Sequence, residues 1–221
     1  MKKLVIFDLD GTLMDTSPGI IHCYNYVAEN FKKQKKSVEQ FQNIIGGSLL
    51  YNFMHFFDMS EEEARQAISL YRNEYEKCGI HLAKVYTGMP DLLEFLKNNE
   101  VTTAVATLKR QDLAIKILDE FSIFKYFDCI LGMDLNDTLT KANLIKNCMN
   151  TTLIDYKNSI LVGDSFYDAR GAKETGIEFV GVTYGWGFRH VDEVKNGYSN
   201  YAVNTIDELK KVLTRFINSD S

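Results

Sequence analysis

Short apolar runs alternate with amphipathic segments along most of the chain. The runs with the length and β-branched content of buried strands are Leu4–Phe7, Thr102–Ala106, Ser159–Val162 and Phe179–Thr183, with weaker candidates at Asp128–Leu131 and Tyr201–Val203. Between them, apolar residues recur every three or four positions, as in helices, over Met89–Asn98, Gln111–Glu120, Lys141–Met149, Tyr167–Thr175 and Thr205–Ile217. This alternation predicts an α/β fold, a Rossmann-like parallel sheet with helices on both faces.

One long segment interrupts the alternation. Residues 16–84 have helical periodicity and no convincing strand, which predicts an inserted all-α helical cap, while residues 1–15 and 85–221 form the α/β core. The predicted cap helices are Pro18–Phe31, Val38–Ile45, Leu49–Phe57 and Ser60–Cys78. Ser60 and Glu63 have the spacing of a capping box at the start of the last of these helices.

Two features of the cap allow both a functional and a structural interpretation. The basic run Lys32–Lys36 could dock a partner, but a short charge run after a helix is more typical of a solvated turn. A cluster of aromatic side chains follows at Phe53, His55, Phe56 and Phe57. Tyr51 or Phe53 could stack on a nucleotide base, although aromatic residues at helical spacing usually pack against a neighbouring helix. We expect the basic run to form a solvated turn and the aromatic side chains to pack against a neighbouring helix.

Composition and charge exclude several classes of protein. The 221 residues, 45% hydrophobic and 25% charged, are typical of a globular protein. A net charge of −5 argues against nucleic acid as the main ligand. Four cysteines without a C-x-x-C pair fit a reducing, cytoplasmic setting. No apolar run reaches the length of a membrane span, and Asp8 and Asp10 interrupt the N-terminal run too early for a secretion signal.

Two acidic motifs follow predicted buried strands. Asp8 and Asp10 come directly after the first strand and precede Gly11. Such a pair suits a carboxylate nucleophile beside a general acid/base, and a turn-capping role is credible for one of the two only. Asp164 follows a later strand and Asp168 falls in the first turn of the next helix, where a carboxylate could simply cap the helix.

The carboxyl ends of parallel strands bring such residues to one edge of the sheet. If the four acids converge there, their hard oxygen ligands suit Mg²⁺. Thr107, placed after the predicted strand Thr102–Ala106, and Lys141, at the start of a helical segment, are not specific by themselves.

Taken in this order, the four segments resemble the haloacid dehalogenase superfamily of phosphatases, in the branch similar to phosphoglycolate phosphatases. The resemblance is carried by D-x-D-G-T-L-x-D-T from Asp8 and G-D-S-x-x-D from Gly163, and it spans nearly the whole chain. It implies that Asp8 is the nucleophile, which forms an aspartyl-phosphate, and that Asp10 is the general acid/base.

The resemblance also implies roles for the remaining motifs. Thr107 would hydrogen-bond a phosphoryl oxygen and Lys141 would neutralise it. Asp164 and Asp168 would bind Mg²⁺ together with Asp8 and the backbone carbonyl of Asp10. The residues expected at the substrate are Gly11, Thr12, Gly46, Gly47 and Leu108.

Three positions depart from the family pattern. Ala142 follows Lys141 where many relatives have proline, and Leu108 stands where a small polar residue is common. The segment from Gly46 resembles the specificity loop of the cap, yet no Lys or Arg lies between Lys36 and Arg65. A carboxylate-bearing substrate such as phosphoglycolate would need a cationic partner.

The sequence therefore predicts a Mg²⁺-dependent phosphomonoesterase that acts on a small-molecule phosphate ester, with nucleotides and sugar phosphates as plausible as phosphoglycolate. Two alternatives remain open: a phosphosugar mutase that uses the same aspartyl-phosphate, and a non-catalytic binding module that has kept the fold. The sequence leaves the oligomeric state open.

Overall fold

The computed structural model describes residues 2–45, 47–199 and 201–219. Its contacts divide the chain into an α/β unit, formed by the residues up to Met14 and from Val85 onward, and a helical unit, Asp15–Lys84. The strands are β1 Leu4–Phe7, β2 Met14–Asp15, β3 Lys84–Val85, β4 Thr102–Arg110, β5 Cys129–Met133, β6 Ser159–Gly163, β7 Glu178–Val182 and β8 Tyr201–Val203. The α-helices are α1 Ser17–Asn30, α2 Leu49–Phe56, α3 Glu61–Glu74, α4 Met89–Asn98, α5 Gln111–Glu120, α6 Lys141–Thr152, α7 Phe166–Thr175, α8 Val191–Lys195 and α9 Ile206–Asn218.

The main sheet has the order β5-β4-β1-β6-β7-β8 and all of its pairings are parallel. After β1, the chain places β4 and β5 on one side of it and then β6, β7 and β8 on the other side. Because crossovers between parallel strands are right-handed, this reversal places α5 on one face and α6 and α7 on the other. The predicted α/β fold with flanking helices is confirmed.

The core of the α6/α7 face shows how β1 is buried. Leu4 and Ile6 of β1 pack in one cluster with Leu144, Ile145 and Cys148 of α6, and all five side chains are almost inaccessible. Successive side chains of a strand point to opposite faces, so the residue two positions after Ile6 points toward the same helices. That residue is Asp8.

The boundary of β4 differs from the prediction. The strand does not end at Ala106 but continues to Arg110, and its register shifts between Ala106 and Arg110. The irregularity lets Arg110 pair with Met133, which also extends β5 beyond its predicted end. Thr107 therefore lies within a strand instead of after one. The other predicted strands and helices of this unit lie within three residues of the observed bounds.

Two predicted helices of the helical unit need correction. Val38–Ile45 is not an α-helix: Val38–Asn43 forms a 3₁₀-helix, whose start is held by the Ser37 backbone N–H donating to the Gln40 side chain at 2.9 Å. Ser60–Cys78 is helical as predicted but not α-helical to its end, because α3 ends at Glu74 and a π-helical turn, Tyr75–Gly79, follows without a break. The capping box of Ser60 and Glu63 is confirmed, with both reciprocal hydrogen bonds formed.

Aromatic packing forms the core of the helical unit. The ring of Tyr24 on α1 lies 5.1 Å from that of Phe53, 5.6 Å from that of Phe57 and 5.0 Å from that of Tyr71. Asn52 donates to the Tyr24 hydroxyl at 2.9 Å, which satisfies a buried polar group. The packing interpretation is confirmed for Phe53 and Phe57. Phe53 has no exposed surface, so its proposed stacking on a base is wrong.

Several surface expectations can also be compared with the structure. The Lys32–Lys36 run lies outside helices and strands and is mostly exposed, with Lys35 paired to Glu29 at 2.8 Å. All four cysteines are free thiols. Within the described ranges, every helix is too short or too polar to cross a bilayer.

Candidate active site

The acidic motifs meet where two neighbouring strands end. Asp8 follows β1, and its backbone N–H continues the pairing with β6 by donating to Val162 O at 2.9 Å. Asp164 follows β6 directly. Both residues are buried, at 7% and 4% exposure. The predicted convergence of the strand ends is therefore present, and all of the side chains involved belong to the α/β unit.

Lys141 links three parts of the site. Its ammonium lies 2.7 Å from Asp8 Oδ1 and 2.7 Å from Asp168 Oδ1, and it donates to Ala106 O at 2.8 Å. These acceptors use all three N–H donors of a buried ammonium. Thr140 and Asn143 cap the start of α6 reciprocally, so the absence of proline at position 142 leaves the helix start intact.

Asp168 fills both roles that the sequence left open. One of its oxygens, Oδ2, accepts from the backbone N–H of Ser165 at 3.0 Å and from the Ser165 hydroxyl, which completes a capping box at the start of α7. The other oxygen, Oδ1, faces Lys141. Asp168 is thus a helix cap and a member of the acidic cluster at the same time.

Asp164 is held by backbone groups from a later loop. Its Oδ2 accepts from the N–H groups of Trp186 at 2.8 Å and Gly187 at 3.0 Å. Neither Trp186 nor Gly187 is among the site residues predicted from the sequence. The contribution comes from the main chain of the Gly185–Gly187 loop, which a residue-type argument does not see.

Burial and mutual repulsion shift the acidity of these groups. Burial raises the pKa of Asp8 to about 8, with Lys141 acting against the shift and Asp168, Asp164 and Asp10 adding to it. Burial and the Asp168 charge likewise raise the pKa of Asp164 to about 7. Burial alone would lower the pKa of Lys141, but the two carboxylates beside it outweigh burial and raise it. The lysine is therefore charged.

The donor set fits a divalent metal ion. Single carboxylate oxygens of Asp8, Asp164 and Asp168 lie within 4.8 Å of one another. With Asp10 there are four carboxylates, and Lys109 and Lys141 supply two positive charges, which leaves a formal charge of −2 when every group is ionised. One divalent cation balances that charge, and buried carboxylate oxygens are the ligands that Mg²⁺ prefers.

Lys109 is a site residue that sequence reasoning missed. Its ammonium lies 3.0 Å from Asp10 Oδ1, and both side chains are largely buried, at 8% and 13% exposure. Its backbone N–H donates to the Thr107 hydroxyl at 3.1 Å. Spacing in the sequence gave no usable signal for Lys109, because the register of β4 shifts between Ala106 and Arg110 and interrupts the regular alternation of strand faces.

The predicted substrate-binding residues have different surroundings. Gly11 has a φ of +79°, and a Cβ there would lie 2.2 Å from Asp164 Oδ2, so only glycine fits. Thr12 is buried, and its hydroxyl has no hydrogen-bond partner among the described residues. Leu108 is partly buried against the hydrophobic core. Gly47 belongs to the helical unit, and Gly46 lies outside the described residues.

Comparison with known proteins places this site in a family. Residues 5–182 match the model of the haloacid dehalogenase-like hydrolases. A 5'-nucleotidase of Pseudomonas aeruginosa is 30% identical over 95% of this chain and 94% of its own length. Phosphoglycolate phosphatase 1 of the same organism is 29% identical over 84% of this chain and 71% of its own. A crystal structure named a predicted phosphatase from Clostridium acetobutylicum superposes with a TM-score of 0.89, is 36% identical, and covers 97% of this chain and 99% of that one.

The chain belongs to the haloacid dehalogenase-like hydrolase family. Within that family it is a phosphatase, a phosphoric monoester hydrolase, which confirms the resemblance seen in the sequence and the enzyme class predicted from it.

Proposed function

We propose that the chain hydrolyses a small-molecule phosphate monoester with Mg²⁺ through an aspartyl-phosphate on Asp8. The observation that carries the proposal is the buried Asp8–Lys141–Asp168 arrangement, in which one charged lysine lies 2.7 Å from each carboxylate. Such an arrangement orients the Asp8 carboxylate and keeps a positive charge beside the position of the transferring phosphoryl group.

Each residue has a defined task in this proposal. Asp8 attacks phosphorus, and the bond between phosphorus and the ester oxygen breaks. Asp10 gives its proton to the leaving oxygen and then takes a proton from the water that hydrolyses the aspartyl-phosphate, which releases inorganic phosphate and regenerates Asp8. Lys109 orients the Asp10 carboxylate. The Thr107 hydroxyl, which accepts a hydrogen bond from Lys109 N–H, is left with its own O–H to donate to a phosphoryl oxygen.

Asp8, Asp164 and Asp168 would hold Mg²⁺, with the backbone carbonyl of Asp10 as a further predicted ligand. When bound, the ion offsets the repulsion among the carboxylates and neutralises charge on the phosphoryl oxygens. The capping of α7 by Ser165 and the two N–H donors to Asp164 fix the orientation of the two outer carboxylates.

For the substrate we favour a nucleoside 5'-monophosphate. The relative named a 5'-nucleotidase supports this choice, since the two chains correspond over nearly their whole lengths. Residues 37–64, which include the segment similar to the family's specificity loop, contain no Lys or Arg. They therefore offer no cation to the carboxylate of phosphoglycolate.

Phosphate release from a substrate panel tests the proposal. The panel contains nucleoside 5'-monophosphates, sugar phosphates, phosphoglycolate, pyrophosphate and p-nitrophenyl phosphate, each assayed with Mg²⁺ and with EDTA. We expect Mg²⁺-dependent turnover with the highest kcat/KM on a nucleotide. A higher kcat/KM on another compound would contradict the substrate choice, and equal rates in EDTA would contradict the metal requirement.

The two alternative functions give different results in the same assay. A phosphosugar mutase would consume a sugar phosphate without releasing an equal amount of inorganic phosphate. A binding module would release none from any compound. Phosphate formed in proportion to substrate consumed excludes both.

A further inference from the structure

The helical unit contains a second cluster of metal-ligating side chains, separate from the proposed reaction. His22 lies on α1, Glu74 is the last residue of α3, and Cys78 lies in the π-helical turn Tyr75–Gly79. One nitrogen, one oxygen and one sulfur atom of these side chains all lie within 4.8 Å of one another. We propose that the three residues form a binding site for a transition-metal ion such as Zn²⁺.

The chemistry of the donors distinguishes this site from the acidic cluster of the α/β unit. An imidazole, a carboxylate and a thiolate are the ligands that Zn²⁺ prefers, whereas Mg²⁺ takes oxygen ligands. Ionised Glu74 and Cys78 supply two negative charges, which balance a divalent ion. The His22–Glu74–Cys78 site is therefore selective for a borderline-soft ion by its composition.

The geometry already approaches that of a metal site. His22 Nε2 lies 2.9 Å from Glu74 Oε1, and the Cys78 thiol is hydrogen-bonded to the same carboxylate. Ligands bound tetrahedrally at ordinary Zn–N, Zn–O and Zn–S lengths are about 3.3–3.6 Å apart. Small side-chain rotations would bring the three ligand atoms to that spacing, and a water molecule would complete a four-coordinate ion.

The backbone around the cluster is tightly packed, while the ligands can be reached from solvent. A Cβ on Gly19 of α1 would lie 2.1 Å from Gly79 O, so α1 and the π-helical turn are in direct backbone contact. The His22 side chain is 42% exposed and Cys78 is exposed, whereas Glu74 is only 13% exposed. A partly buried carboxylate next to two exposed ligands can be reached by an ion from solvent. π-helical turns are frequent at functional sites.

Titration with Co²⁺ tests the proposal in the full-length, reduced and metal-free protein. Mg²⁺ is kept in excess so that the oxygen ligands of Asp8, Asp164 and Asp168 are occupied. The readout is the thiolate-to-cobalt charge-transfer absorption, which the sulfur-free acidic cluster cannot produce. We expect one equivalent of Co²⁺ to give this band and one equivalent of Zn²⁺ to displace it.

Matched variants separate the site from non-specific binding. We expect Cys78→Ser to abolish the band, and His22→Gln and Glu74→Gln each to weaken binding by more than about tenfold, the lower end of the loss seen even for supporting groups at metal sites. His81→Gln and Glu76→Gln change the same residue types at exposed positions nearby and should leave binding unchanged.

Two results would overturn the proposal: no charge-transfer band in the wild type, or a band that survives Cys78→Ser. Thermal unfolding of each metal-free variant verifies that it is folded. Because the readout is metal binding, the outcome is independent of whether the proposed hydrolysis is correct.

Discussion

At the scale of single residues, the site depends on how buried charges are balanced. The buried ammonium of Lys141 pairs with Asp8 and Asp168 and acts to lower the pKa of Asp164. In the metal-free protein, burial raises the pKa of Asp8 to about 8 and that of Asp164 to about 7. Both values lie well above that of an exposed aspartate, so the folded protein retains protons that the unfolded chain releases.

Stability should therefore depend on pH and on Mg²⁺ together. As pH rises from about 4 through 8, the unfolded chain loses these protons first, so the metal-free protein becomes less stable over that window. Mg²⁺ binds the ionised carboxylates and so offsets the unfavourable free energy of ionising them in the folded protein. We expect the increase in Tm caused by Mg²⁺, relative to EDTA, to be small near about pH 5 and to grow up to about pH 8.

Scanning calorimetry across this pH range measures the effect. The Asp8→Asn variant is the control, since it lacks the group with the larger shift and should show a weaker pH dependence. An increase in Tm that is equal at all pH values, or greatest at low pH, would contradict the charge balance described for the site.

The ion pair of Lys109 with Asp10 makes a second prediction at this scale. Removing the ammonium breaks its ion pair with the Asp10 carboxylate, so Lys109→Met should lower kcat by about 10- to 100-fold with a smaller change in KM. Lys146→Met, at an exposed position of α6, is the matched control. Steady-state kinetics on the best substrate would disprove the positioning role if kcat of Lys109→Met equalled that of the control.

At the scale of elements, irregularities and helix ends place the site residues. The register shift in β4 keeps Thr107 and Lys109 in a strand that continues past Ala106. The N-termini of α6 and α7 bring Lys141 and Asp168 to the end of β1. These positions follow from pairing with a neighbouring strand and from long-range packing, so the apolar pattern predicted β4 but not its length.

Two capping boxes offer a matched pair of variants. Ser165 caps α7 beside the acidic cluster, and Ser60 caps α3 in the helical unit with the same hydrogen bonds. Ser165→Ala and Ser60→Ala should each lower the free energy of unfolding by about 1 kcal/mol, measured by urea denaturation.

Only Ser165→Ala should also weaken Mg²⁺ binding, because it removes the hydroxyl that donates to the Asp168 carboxylate. Isothermal titration with Mg²⁺ distinguishes the two variants. Equal Mg²⁺ affinity in both would show that the cap does not orient the ligand.

At the scale of the whole molecule, the sequence predicted the α/β fold well because strand and helix periodicities alternate over the α/β unit. The convergence of Asp8, Asp164 and Asp168 could be predicted because each stands at the end of such an element, whereas the role of Lys141 came only from the resemblance to the family. Lys109 and the N–H groups of Trp186 and Gly187 were missed, since long-range contacts bring them to the site. In the helical unit, the 3₁₀-helix at Val38 and the π-helical turn at Tyr75 depend on local backbone packing that periodicity does not encode.

The assignment of Asp8 as nucleophile is the central claim, and comparison of Asp8→Asn with Asp119→Asn tests it most directly. Asn is nearly isosteric with Asp but cannot form the aspartyl-phosphate, and Asp119 is an exposed acid of α5. With Mg²⁺ and the best substrate, we expect Asp8→Asn to lose at least about three orders of magnitude in kcat while its Tm in EDTA is no lower than that of the wild type. Asp119→Asn should retain full activity. An Asp8→Asn variant within about tenfold of the wild-type kcat would contradict the account.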